Sequence, residues 1–146
     1  MSDFPARSPA AKLGGIVYFG RMLDKIRAHE RGELPAEYQP NLGRGFDESC
    51  VSFLHVDYHD VEALAKQRLS DEEMLQRCFE LGRRPSDEEI HIWNTFMRKR
   101  GWNDEISDTL ERRKREGGME NRSDIRTMFD FIDADEGRPL ADGRAL

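Results

Sequence analysis

The sequence predicts an all-α protein: a single compact domain of six to seven short helices, with an extended loop near residues 33–45. Ser70-Asp71-Glu72-Glu73 and Ser86-Asp87-Glu88-Glu89 both fit the capping box, in which serine and glutamate side chains satisfy free amides at a helix start. Apolar residues recur at helical spacing behind both boxes. No segment alternates apolar and polar residues clearly enough to predict a strand.

The first helix is predicted to begin at Ser8 and Pro9, because a cap followed by proline is a favourable helix start. It should end near Gly32. Gly20 lies on its apolar side, which suggests that another element passes close to the backbone there. The predicted boundaries are a flexible N-terminus at residues 1–8, a helical domain at 9–137 and a loose C-terminal tail at 138–146.

More helices are predicted after the loop. A short helix covers residues 46–54 and is capped by Asp47, and the next helix is capped by Asp57. The two capping boxes open the next pair, and we expect the helix that bears Trp93 to be central. The last two predicted helices cover residues 103–116 and 123–137.

Length and charge restrict the class of partner. A chain of 146 residues is long enough for one domain with its own core. Its 29 acidic and 23 basic residues give a net charge of −6, which disfavours binding to a polyanion. Basic residues at 98–100 and 112–115 have acidic neighbours and form no stripe, so we expect no nucleic-acid partner.

The sequence predicts a cytoplasmic protein without a membrane segment. The longest apolar stretch, residues 16–19, is far too short to span a bilayer, and residues 2–11 do not resemble a signal peptide. Cys50 and Cys78 belong to no paired motif, which favours two reduced, buried thiols over a disulfide. The oligomeric state is left open.

Several charged residues fall inside the apolar stripes. Asp24 and Arg27 project from the buried side of the first helix, and their spacing would let them touch. Arg100 lies in the same arc as Trp93, and Asp135 lies in the arc of the last helix. Since unpaired buried charges are very costly, these groups should form a structural ion-pair cluster or line a polar pocket. In a pocket, arginine could hold a small anion through two hydrogen bonds.

These charges favour a non-enzymatic module that binds a small anionic ligand or a protein partner through a polar cluster between helices. The candidate ligand-binding residues are Asp24, Arg27, Tyr38, Arg84, Arg100, Trp102 and Asp135. One alternative is an enzyme acting on a small carboxylate- or phosphate-bearing metabolite, with Asp24 or Asp135 as general base. Another alternative is a helical oligomer, suggested by the weakly anchored helix around Ile106.

No motif predicts a metal, a cofactor or a catalytic nucleophile. Cys50, His55 and His59 have a zinc-like spacing, but Asp57 should cap a helix between the histidines and place them on different elements. Asp133 opens a segment like a calcium loop, yet the residue types required later in that loop are absent.

Four motifs in order give the chain a family resemblance. They are MLDKIRA at 22–28, GRRP at 82–85, IWNxFMxKRGW at 92–102 and FxFIDxDEGR at 129–138. With these motifs the chain resembles a family of small bacterial proteins known only as a domain of unknown function. The resemblance implies a bacterial, single-domain protein and supplies no activity.

Overall fold

The computed structural model describes residue 4 and residues 6–140. In this part of the chain, seven α-helices, one 3₁₀ helix and one two-stranded hairpin form a single, mainly α-helical domain, as predicted. The elements in order are β1 (Lys12–Leu13), β2 (Ile16–Val17), α1 (Phe19–Glu30), the 3₁₀ helix (Ala36–Asn41), α2 (Phe46–Leu54), α3 (Tyr58–Ala65), α4 (Asp71–Leu81), α5 (Asp87–Lys99), α6 (Ser107–Glu116) and α7 (Met128–Asp135).

The predicted start of the first helix at residues 8–9 is wrong, and so is the expectation that no strand forms. β1 and β2 are antiparallel, with Leu13 opposite Ile16. Between them, Gly14 and Gly15 have φ angles of +58° and +82°. A two-residue hairpin turn needs positive φ, which glycine adopts without steric cost. The glycine pair therefore directs the chain into a hairpin before α1.

Both predicted capping boxes are present. At the start of α4, the Ser70 hydroxyl accepts from the Glu73 amide at 3.1 Å, and the Glu73 carboxylate accepts from the Ser70 amide at 2.9 Å. Ser86 and Glu89 make the same pair of bonds at the start of α5, at 3.1 and 2.9 Å. Asp57 caps α3, as predicted, by accepting a backbone amide.

Three other helix starts differ from the predictions. α2 covers the predicted residues, but Gly45 is its N-cap and Asp47 is buried in a salt bridge instead. α6 begins at Ser107 and not at residues 103–104, and α7 begins at Met128. Asp, Asn and Ser are common in turns as well as at caps, so these residue types alone do not locate a helix start.

The predicted loop at residues 33–45 contains the 3₁₀ helix and is attached to the last helix of the domain. The Tyr38 hydroxyl donates a hydrogen bond of 2.7 Å to Glu136. Within the loop, the Gln39 side chain donates to the Leu34 carbonyl at 3.1 Å. The Tyr38 bond holds the loop against the end of α7, where the loop forms one wall of a cleft.

The main core lies between the hairpin, α1 to α5 and α7. The helix that bears Trp93 was expected to be central, but α5 buries only Trp93, Asn94 and Met97, whereas eight of the 12 residues of α1 are buried. Trp93 stacks on Phe53 with the ring centroids 4.7 Å apart, and its indole donates to the Val17 carbonyl at 3.1 Å. A smaller cluster forms under α6 from Leu110, Ile125 and Met128. α6 is thus attached to the domain through its own small core.

Some of the predictions for the termini lie outside the described residues, namely those for residues 1–3, 5 and 141–146. In the described part, Ala6 is buried and its carbonyl accepts a hydrogen bond from Arg138. Residues on either side of the helical domain therefore contact each other. None of the described helices combines the length and the apolar character needed to cross a bilayer.

Candidate functional site

Two basic side chains of α1 are buried beneath a surface cleft. Arg21 and Lys25 are 4% and 5% exposed, and Tyr18, just before α1, is 3% exposed. Residues three and four apart along a helix share a side, so these polar groups follow one another along α1. Buried arginine and lysine need partners, and two carboxylates from other elements supply them.

Glu136, just after α7, is the partner of Arg21. The two side chains form parallel hydrogen bonds of 2.8 and 2.7 Å, and both are almost fully buried. Tyr38 donates to the same carboxylate at 2.7 Å, and Arg138 donates at 2.6 Å. Burial by itself would raise the pKa of Glu136, but the bonds from Arg21, Tyr38 and Arg138 hold it below its ordinary value.

Lys25 forms a second buried group with residues from two other segments. Its ammonium lies 2.8 Å from Asp47 and donates to the Tyr18 hydroxyl at 3.1 Å. The Tyr18 hydroxyl donates to Asp47 at 2.6 Å, and the Gly43 amide also donates to that carboxylate at 3.0 Å. Burial lowers the pKa of Lys25 and raises the pKa of Tyr18.

The backbone of Tyr18 is held in a conformation that non-glycine residues seldom adopt. Its φ angle is +74°. The preceding residue, Val17, is fixed by α5: the Asn94 side chain accepts from its amide at 3.0 Å, and Trp93 donates to its carbonyl at 3.1 Å. α5 and the hairpin thus direct the Tyr18 ring toward Lys25.

Above these buried groups lies a cleft of about 820 Å³, within the size range of small-molecule sites. It is bounded by α1, the 3₁₀ helix, the start of α2, and α5, α6 and α7. The charged and aromatic or large apolar lining residues that matter for its chemistry are Arg21, Lys25, Glu37, Tyr38, Glu48, Phe96, Arg100, Ile106, Arg113, Phe131, Ile132, Asp135 and Glu136. The cleft therefore combines charged groups with an apolar wall.

Two arginines occupy the α5–α6 side of the cleft. Arg100 lies 5.1 Å from the centre of the Phe96 ring and pairs with Asp104 and Glu105, both at 3.0 Å. Arg113, on α6, is half-buried and forms no ion pair with any described residue. On the α7 side, Asp135 is exposed and likewise has no ion-pair partner in the described part.

Three of the predicted site residues come together in this cleft: Tyr38, Arg100 and Asp135. Arg27 and Asp24 lie elsewhere, in a separate cluster that Arg7 joins. Arg7 lies 3.0 Å from Asp24 and 2.8 Å from Asp71, and Arg27 pairs with Asp71 at 2.6 Å. The structure contains no direct Asp24–Arg27 pair among the described residues, so their helical spacing does not by itself bring them into contact.

The other two predicted site residues lie apart from the cleft. Arg84 is exposed, donates to Gln76 at 2.7 Å and lies 4.7 Å from the centre of the Phe79 ring. Trp102 is 58% exposed and borders a second, more open depression beside α6. The structure thus divides the seven predicted residues among the cleft, the Arg7 cluster and two separate surface positions.

The described residues contain no group of three or more histidine, cysteine, aspartate or glutamate side chains arranged to hold a metal ion. His55 ends α2 in a left-handed conformation, and His59 lies in the first turn of α3, next to the cap Asp57. Cys50 and Cys78 are both buried free thiols.

Sequence analysis missed the buried groups at the base of the cleft: Tyr18, Arg21, Lys25, Asp47 and Glu136. A usable signal was present, since Tyr18, Arg21 and Lys25 are spaced to share one side of the helix that bears Met22. The two carboxylates are far away in sequence, and only the folded chain brings them to α1. Asp47 also resembled a helix cap, which concealed its role as an ion-pair partner.

Comparisons with known proteins identify the family. No curated protein matches the chain. One family profile, described as "Domain of unknown function (DUF5069)", matches residues 3–138, which include all four motifs noted in the sequence and all residues lining the cleft. The resemblance stated from those motifs is confirmed, and the chain belongs to this family of unknown function.

Proposed function

We propose that the protein is a non-enzymatic module that binds a small anionic molecule in the cleft. The observation that carries this proposal is Arg113, a half-buried cation on the cleft lining that has no carboxylate partner among the described residues. The other basic side chains of the lining, Arg21, Lys25 and Arg100, each contact a carboxylate. A partly buried guanidinium without such a partner is suited to receive one from a ligand.

The rest of the cleft narrows the class of ligand. A guanidinium can bind a carboxylate or a phosphate through two parallel hydrogen bonds. Gly45 and Phe46 place the start of α2 on the lining, but Asp47 and Glu48 in its first turn offset the positive end of that helix, so the attraction for an anion depends on Arg113. The apolar wall suits a hydrocarbon or aromatic body, and its residues are Phe96, Ile106, Phe131 and Ile132. The expected ligand therefore carries one anionic group on an apolar frame.

A small molecule suits this site better than the protein partner that the sequence also allowed. The site is a concave cleft, and its floor is formed by buried ion pairs and not by an exposed apolar patch. Protein interfaces instead place exposed aromatic anchors at their centre.

A thermal-shift screen tests the proposal. The panel contains aromatic and aliphatic carboxylates, inorganic phosphate, phosphate monoesters and nucleotides, each with a neutral amide or alcohol analogue where one exists. A ligand that binds the native state raises the melting temperature, because it stabilises that state by an amount that grows with the logarithm of ligand concentration over the dissociation constant. We expect stabilisation by an anion and none by its neutral analogue.

Matched variants locate the binding. Arg113→Gln should abolish the thermal shift, whereas Arg115→Gln, which removes an exposed arginine of the same helix outside the cleft lining, should leave it unchanged. The proposal fails if no anion in the panel stabilises the protein, or if Arg113→Gln retains the full shift.

An enzyme is the second candidate, favoured by Asp135. This carboxylate lines the same cleft, is exposed, and forms no ion pair with any described residue, so it could accept a proton from a bound metabolite. Asp24, the other predicted general base, does not line the cleft. Product formation from a bound ligand, followed by NMR and lost in Asp135→Asn with binding retained, would favour the enzyme.

We also propose a bacterial, cytoplasmic protein. The family resemblance supports the bacterial source. The buried free thiols Cys50 and Cys78 support a reducing compartment. Detection of the protein in the cytosolic fraction of its host tests this proposal, and its recovery from a secreted fraction would contradict it.

A further inference from the structure

The outward side of α5 carries two large apolar side chains that are more than half exposed. Ile92 and Phe96 are 59% and 51% exposed, while Trp93 and Met97 on the opposite side lie in the core. Ile92 and Phe96 are four residues apart and therefore lie next to each other along the helix. Exposed apolar groups arranged in a row are typical of an interaction surface.

A charged residue of opposite sign lies at each end of this apolar pair. Glu88 is exposed in the first turn of α5, and Lys99 is exposed at its last residue. At 100° per residue, the four side chains fall within an arc of about 80° on the helix surface. Neither Glu88 nor Lys99 forms an ion pair with any described residue. We call the row Glu88, Ile92, Phe96 and Lys99 the α5 stripe.

The α5 stripe is complementary to itself when one copy is reversed. The midpoint between Ile92 and Phe96 is residue 94. At a rise of 1.5 Å per residue, Glu88 lies about 9 Å before this point and Lys99 about 7.5 Å after it. A second α5 packed antiparallel about a two-fold axis at residue 94 would join the two apolar pairs and place each glutamate near the partner's lysine.

We infer that the α5 stripe is the contact surface of a homodimer whose occupant is a second copy of this chain. The contact is isologous, since the same patch is used by both copies. The acidic-to-basic order along the stripe favours a reversed copy over an unrelated partner, because it contributes two attractive pairs per dimer. One helix pair is a small interface, so we expect a weak, concentration-dependent dimer.

Sedimentation velocity over a series reaching about 1 mM protein tests the inference. The native chain should shift from the monomer to the dimer coefficient as concentration rises. In the dimer, position 88 of each copy faces position 99 of the other. Glu88→Lys therefore creates two pairs of facing lysines, and Lys99→Glu creates two pairs of facing glutamates. We expect each single change to weaken dimerisation at least about tenfold, because like charges at an interface are repulsive.

Two further samples make the test specific to this pairing. The double variant Glu88→Lys with Lys99→Glu restores opposite charges and should regain the native dimer. An equimolar mixture of the two single variants should form a mixed dimer, since one stripe is then all basic and the other all acidic.

A control of the same kind exists in α4. Glu72 occupies the same position in the first capping box as Glu88 does in the second, and it is exposed. Glu72→Lys should dimerise like the native chain. Circular dichroism melting curves confirm that each variant is folded.

The inference is overturned if the native chain remains monomeric throughout the concentration series, or if the double variant dimerises as weakly as the single variants. The variants in this test leave the cleft lining unchanged, because neither Glu88 nor Lys99 lines it, although Phe96 belongs to both the stripe and the cleft wall.

Discussion

At the scale of single residues, the base of the cleft depends on buried charges that are matched one to one. Lys25 and Asp47 are almost fully buried, and each is the other's counter-ion at 2.8 Å. Removing one member of such a pair leaves an uncompensated charge away from water, which costs more than the pair itself contributes. Stability and site geometry are therefore coupled at these positions.

Lys25→Met should lower the free energy of unfolding by about 3–5 kcal/mol, because Asp47 then remains buried without a counter-ion. Adding Asp47→Asn should recover part of the loss, since the neutral amide can still accept from Tyr18. Urea unfolding of the single and double variants measures both values. Equal losses in the two variants would contradict the assignment of Lys25 and Asp47 as a buried pair.

The two buried thiols give a second prediction at this scale. Burial raises the pKa of Cys50 and of Cys78, so the reactive thiolate is scarce in the folded protein. A thiol reagent at pH 8 should modify both cysteines rapidly in denaturant and slowly without it. Rapid modification of the native protein, measured by mass spectrometry, would show that these residues are accessible.

At the scale of elements, the end of α4 lies against the end of α2, and Gly82 allows this close contact. A Cβ atom at Gly82 would lie 2.0 Å from the Leu54 carbonyl oxygen and 2.7 Å from that of His55. The Arg83 amide donates to the same Leu54 carbonyl at 3.0 Å, so the two backbones are already bonded there. Gly20, on α1, also faces a close neighbour, but that neighbour is the guanidinium of Arg7.

Gly82→Ala should therefore destabilise the protein by about 2–4 kcal/mol, because backbone carbonyls cannot move aside without breaking the contact between helices. Gly20→Ala is the matched control. The tip of the Arg7 side chain can shift by a few tenths of an ångström while keeping its bonds to Asp24 and Asp71, and alanine favours the helix, so the effect of Gly20→Ala should stay within about 1 kcal/mol. Thermal and urea unfolding give both values, and similar losses would refute the backbone explanation.

At the scale of the whole molecule, ion pairs connect segments that are distant in sequence. Arg7 joins Asp24 of α1 to Asp71 of α4, and Arg27 binds Asp71 from the other side. Burial alone would raise the pKa of Asp71, but the hydrogen bonds from Arg27 and Arg7 hold it below its ordinary value of 3.8. The segment before the hairpin is thereby linked to two helices.

This lowered pKa predicts a dependence on pH. Between the lower folded pKa and 3.8, the unfolded chain binds more protons at Asp71, so its contribution to stability is present above pH 3.8 and is lost as the pH falls through the folded pKa. At pH 7, Asp71→Asn should cost about 1–2 kcal/mol. The difference in free energy of unfolding between Asp71→Asn and the native chain should become smaller as the pH falls below 3.8.

A control separates the ion pairs from the helix end. Asp87 takes the same first-turn position in α5 as Asp71 does in α4, but it forms no ion pair with any described residue. Asp87→Asn should therefore cost less than Asp71→Asn at neutral pH. Urea unfolding from pH 7 to pH 3 tests this prediction, and a pH-independent difference between Asp71→Asn and the native chain would contradict it.

Prediction from sequence succeeded where the signal is local. The Ser70 and Ser86 capping boxes, the Asp57 cap and the core position of Trp93 all depend on spacings within one or two helical turns. The hairpin at residues 12–17 was missed because its strands have only two residues each, too few to show alternation.

The sequence by itself determined the helical class, the family and most helix positions, because propensity, capping and periodicity act between near neighbours. The tertiary structure alone decided which charges meet. Arg21 pairs with Glu136, and Lys25 pairs with Asp47, although the partners are far apart in sequence. Asp24 and Arg27 are neighbours on one helix, yet Asp24 pairs with Arg7 and Arg27 pairs with Asp71. An ion pair depends on distance in space, and helical spacing limits that distance only within one element.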